Sequence, residues 1–134
     1  VDRRRREGGM TRHWSRGSSQ RHLKHLAHAP HETVLVAACL VFLRQQGCLA
    51  WRMNVGGAKF GRRFVRFGVR GMADILAVKS GRAIFVECKR HPNAPTIIQE
   101  EFLQDVREHG ALSWVVYSVE ELERQWQEVW GCLR

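Results

Sequence analysis

An α/β layer fold is predicted for these 134 residues by three features. A capped apolar segment follows Pro30, two strand-like runs meet at Ser80-Gly81, and helical periodicity alternates with a short apolar strand in the C-terminal third. The first segment, "PHETVLVAACLVFLRQQG", has Pro at its start, Glu32 in its first turn and Gly47 as its stop. It is apolar nearly all round, so it is expected to be sandwiched. Next, "CLAWRMN" at 48–54 alternates as a strand does, and "VGGAKFGRRF" reads as a glycine-rich basic connection. "MADILAVKSGRAIFVECK" forms a hairpin with Ser80-Gly81 at its tip. "NAPT" breaks the chain, and Thr96 opens a helix to about His109. "ALSWVVY" is a further strand. "SVEELERQWQEVW" is an amphipathic helix with Val119, Leu122, Trp126 and Val129 on its apolar side and a Ser118/Glu121 capping box.

The bulk numbers set limits on function. Hydrophobic content of 44% with 26% charged residues suits a packed domain, and the length suits one such domain. The balance of 22 Lys and Arg against 13 Asp and Glu, a net charge of +9, calls for a polyanionic partner, nucleic acid before an anionic membrane. The longest apolar run, Val34 to Leu43, is well below the roughly 20 residues of a membrane span, and no secretory leader is visible. An intracellular protein is expected. The cysteines at 39, 48, 88 and 132 have no close CxxC pairing and read as small core residues, not as a zinc site.

Residues 1–29 are basic and nearly aperiodic, which reads as a disordered arm able to hold phosphate without reading sequence. Its four histidines, His13, His22, His25 and His28, are taken as surface composition in preference to a metal site. The remaining residues, 30–134, form the folded domain. Between residues 52 and 70 lie six more bases and no acid: Arg52, Lys59, Arg62, Arg63, Arg66 and Arg70. They are candidate contacts to a nucleic-acid backbone. Trp51 is expected in the core, and base stacking by Trp14 or Phe60 is left open.

The chemistry concentrates in the hairpin. With Ser80 and Gly81 as a two-residue loop, Lys79 faces Arg82, Leu76 faces Phe85, and Asp74 faces Glu87. Two carboxylates directly opposed on a ladder repel unless something compensates. Lys89 falls on the face of Glu87, and the Cys88 side chain on the other. Such a pair could cradle Mg2+ or Mn2+, which favour oxygen ligands, with the Cys88 backbone carbonyl as a third donor. It could equally be a salt bridge at a strand edge.

With these residues in view, the chain resembles the VRR-Nuc (virus-type replication-repair nuclease) domain of the P-D/E-x-K nuclease superfamily, over about residues 31 to 122. The resemblance rests on Glu32, "WRMNVGG" at 51–57, "GMADILAV" at 71–78, "GRAIFVECK" at 81–89, and Gln99 followed by "EEFLQDVREHGA". Ala73 stands where that motif often carries Pro, a residue that shapes backbone and offers no ligand. The resemblance implies a restriction-endonuclease-like core, a mixed sheet of four or more strands flanked by helices. It implies a divalent-metal-dependent endonuclease in which Asp74, Glu87 and the Cys88 carbonyl hold Mg2+ or Mn2+. Lys89 would orient or deprotonate the attacking water. Glu32 would steady a water at the metal or a second ion, and Gln99 would point at the site beside Lys89. Without the resemblance, Glu32 could simply complement a helix dipole and Gln99 close a "TIIQ" capping box. It further implies a homodimer acting on branched DNA such as four-way junctions, in the cytoplasm of a bacterial or phage-infected cell. Two other readings compete: a non-catalytic basic nucleic-acid-binding protein, and a sequence-specific restriction-type nuclease.

Overall fold

The computed structural model describes residues 31–53 and 56–131. The basic arm with its histidines and Trp14, and Cys132, lie outside the described residues. The elements are α1 (His31–Gln45), β1 (Leu49–Arg52), β2 (Gly56–Phe60), β3 (Arg63–Phe67), β4 (Ile75–Lys79), β5 (Arg82–Cys88), α2 (Ile97–Glu108), β6 (Leu112–Val116) and α3 (Val119–Trp130). A mixed sheet runs β1-β4-β5-β6, with β5 and β6 parallel and the other pairs antiparallel. Helices flank both of its faces, as expected of the α/β core. Among the described residues no helix is long and apolar enough to cross a membrane.

Strand β5 organises the layers. Its even-numbered side chains, Ile84, Val86 and Cys88, join the core beneath α1 and α3, with Leu43, Cys39, Leu122 and Trp126. Its odd-numbered ones face α2, where the Phe85 ring meets Phe102 edge-on at 5.3 Å. Phe42 of α1 meets Trp126 of α3 in the same manner at 6.0 Å, which ties these two helices together. Cys39, Cys48 and Cys88 are buried free thiols. Helix α1 buries Leu35, Val36, Cys39, Phe42 and Leu43, but Val34 remains exposed, so the sandwich is incomplete.

The hairpin register is the one that the two-residue loop requires: Lys79 pairs with Arg82 and Ile75 with Val86, which sets Asp74 against the end of β5. Ser80 and Gly81 both have positive φ, as this tight turn demands. Thr96 and Gln99 close a full capping box on α2. At Ser118 only half of the expected box forms. Its side chain accepts from the Glu121 amide, whereas the Glu121 carboxylate takes the Tyr117 N–H at 2.7 Å.

Two further expectations are corrected. The segment 55–64 is not a mere connection, because β2 and β3 form an antiparallel ribbon with Gly61 at its turn. Neither strand buries a side chain, so no apolar alternation marks it. Trp51 is 38% exposed, because β1 is an edge strand whose one buried side chain is Ala50.

Candidate active site

The site forms where the start of β4, the end of β5 and the start of α2 converge. Asp74 directly precedes β4, and its Oδ2 accepts the Cys88 backbone N–H at 2.8 Å. The Asp74 carbonyl in turn accepts the Met53 N–H at 2.8 Å, which extends the ladder between β1 and β4. Glu87 is buried at 2% exposure. Its Oε1 takes a hydrogen bond from Gln99 Nε2 at 2.7 Å and lies 3.1 Å from Lys89 Nζ. Its Oε2 is buried with no hydrogen-bond partner among the described residues.

Gln99 therefore does both things its position suggested. Its Oε1 accepts from the Thr96 amide at 2.9 Å in the capping box, and its Nε2 reaches Glu87. A helix start is thereby latched onto the strand end. Lys89 shares the face of Glu87. The Cys88 side chain points away and lies against Cys39. That contact, with burial, pushes the Cys88 thiol pKa up, so only its backbone carbonyl is a credible donor. Arg90 is exposed.

Burial holds both carboxylates above their ordinary range. Burial raises Asp74, with the Cys88 amide, Lys89 and Arg52 opposing and the charge of Glu32 adding to the rise. Burial also raises Glu87, to about 7, with the charge of Asp74 adding to it and Lys89 and the Asp74 backbone opposing. Glu32 and Arg52 thus lie near enough for their charges to act on Asp74. Of the expected residues, Glu87 touches Lys89 and Gln99 directly and Asp74 binds the neighbouring Cys88 amide, whereas Glu32 and Arg52 act on Asp74 through charge alone.

Among the described residues no three His, Cys, Asp or Glu side chains converge as a metal-ligand cluster. Two carboxylates with a backbone carbonyl still suit a hard divalent ion, which commonly keeps several waters of its own. The unpartnered Glu87 oxygen fits such an ion, since a buried carboxylate oxygen without a partner is costly.

The remaining basic candidates, Lys59, Arg62, Arg63, Arg66 and Arg70, are all exposed, on the ribbon and just after it. Sequence reasoning named Phe60 among them but missed the other apolar side chains. Phe60 and Phe64 are 62% and 64% exposed, and Phe67 and Val69 are exposed as well. The strand-favouring Phe and Val of "RFVRF" were the available signal. No family model matches the chain, and no curated protein matches it either.

Proposed function

We propose that this protein is a divalent-metal-dependent endodeoxyribonuclease of the VRR-Nuc type, hydrolysing phosphodiesters in branched DNA such as four-way junctions. The observation that carries the reading is the Asp74–Glu87 pair, with Lys89 beside one Glu87 oxygen and the other buried without a hydrogen-bond partner among the described residues. The acid-free run of exposed bases from 52 to 70 supports a nucleic-acid substrate. Asp74, Glu87 and the Cys88 carbonyl would hold Mg2+ or Mn2+. When bound, such an ion offsets charge on the scissile phosphate and acidifies water.

The chain's own residues divide the other tasks. Glu87 gives up its proton near pH 7, and Gln99 holds its carboxylate in place. The Lys89 ammonium stabilises negative charge growing on phosphate and orients the attacking water. Glu32 supplies a third acid near Asp74, suited to steadying that water or a second ion. A homodimer would place two such sites for paired cuts across a junction.

The test is incubation of a linear duplex, a flap and a four-way junction with and without Mn2+. Cleavage of the junction only with metal, lost in Asp74→Asn, is the expected result. Intact DNA under all conditions would leave a binding protein, and cuts at fixed sites in linear duplex would point to a restriction-type enzyme.

A further inference from the structure

The β2–β3 ribbon stands apart from the layered core. Among the described residues it makes no extensive contact with another element, and all of its residues except Ala58 are exposed. An isolated two-stranded ribbon is marginally stable in water, so such a feature is expected to gain from a partner. The register sorts its side chains onto two faces. Lys59, Phe64 and Arg66 share one with Gly57, whereas Phe60, Arg63, Val65 and Phe67 share the other.

On the first face the Phe64 ring lies across Gly57, where a Cβ would overlap it. The ring thus rests on bare backbone and keeps most of its surface in solvent. A cavity of about 300 Å³ opens beside it, lined by Gly57, Phe64, Arg66, Gly68, Arg70 and Gly71 among others. That volume lies at the lower end of small-ligand clefts. Its wall at Gly71 adjoins the start of α2. Gly71 is three residues before Asp74, and its backbone abuts Ile98, the neighbour of Gln99.

Charge and shape select one occupant. Lys59, Arg66 and Arg70 suit phosphates, and no acid lies between 52 and 70 to oppose them. An exposed ring between cations suits a base, because stacking on an aromatic side chain tolerates every base. A base inside a duplex has both faces taken by its neighbours, so only an unpaired one can lie on Phe64. We propose that this face is a subsite for an unpaired nucleotide, its base stacked on Phe64 and its flanking phosphates on Arg66 and Arg70. The subsite deepens the nuclease reading and rests on it for its placement beside Asp74. It gives the enzyme a physical means of preferring DNA with an unpaired strand.

The test is equilibrium binding of the full chain in EDTA at fixed salt, with a labelled thymidine 12-mer and a fully paired duplex as probes. Phe64→Leu is expected to weaken the single strand about tenfold and the duplex less than twofold, given the usual size of base–aromatic stacking. Phe64→Tyr is expected to retain wild-type affinity, and Phe60→Leu on the opposite face to change neither probe. Arg66→Gln is expected to weaken both and lower the salt slope by about one. A strand carrying 2-aminopurine is expected to be quenched by the wild type and not by Phe64→Leu. Equal loss on both probes, no loss on either, or an oligomer that falls apart in Phe64→Leu would overturn the subsite. No metal is involved, so the two readings fail separately. Selective loss with no cleavage of any DNA sinks only the nuclease, and cleavage without selective loss sinks only the subsite.

Discussion

Replacing Glu87 with Gln tests the electrostatics of the site without relying on activity. Burial, with Asp74 second, moves the Glu87 pKa from an ordinary 4.5 to about 7. Between those values the native state keeps a proton that the unfolded chain has released, so stability falls as pH rises through the window. At about 1.4 kcal/mol per pH unit, the ionised carboxylate costs the metal-free protein about 3 kcal/mol above pH 7. At 2% exposure, solvent does little to screen that penalty. The amide cannot ionise, so Glu87→Gln removes it. Thermal melting in EDTA is expected to show a small difference from wild type at pH 4.5. At pH 8 the variant should melt about 10 °C higher, the usual scale for such a gain in a domain of this size. Mn2+ at pH 8 should raise the melting temperature of the wild type and leave the variant unmoved. A gain of equal size at both pH values, or a variant less stable at pH 8, would refute the reasoning.

Three further outcomes are expected. Lys89→Ala should abolish cleavage while leaving DNA affinity within about twofold, because a single ammonium at the site adds little to a backbone contact spread over many bases; parallel loss of binding and cutting would argue against its role. Gln99→Ala should cost roughly 1–2 kcal/mol in a denaturant melt, since it removes a bond to a buried carboxylate and half of a capping box. It should also move the pH profile of cleavage upward, a change that loss of a cap alone would not produce. Gly71→Ala should destabilise by about 2–4 kcal/mol, as φ is +77° and the new Cβ would press on the Ile98 backbone. Its cleavage should fall more than its folded fraction, because the start of α2 carries Gln99.

Much of the site was legible because it is local or set by a tight turn. The Ser80-Gly81 loop fixed which residues oppose each other, and "TIIQ" marked the start of α2. The β2–β3 ribbon escaped notice because glycine and arginine are poor strand signals and neither of its faces is buried. Its strands exist by pairing with each other, a property that periodicity of burial does not report. Trp51 misled for a related reason, since a large aromatic suggests a core while its strand lies at the sheet edge. The approach of Glu32 to Asp74 joins a helix start to a strand start 42 positions on in the numbering, and only the resemblance to a family anticipated it.

The alternation along β5 has a consequence for how this gene could vary. Surface turns are ordinarily where a chain accepts an extra residue at little cost. The turn at Ser80-Gly81 is exposed and far from the acids along β5, yet it sets the phase of the whole strand. One inserted residue that was not absorbed as a bulge would swing Glu87 into the apolar layer and turn Cys88 toward α2. Insertions there should be purged as strictly as changes to the acids themselves, whereas point substitutions that keep the loop length and its backbone conformation should pass.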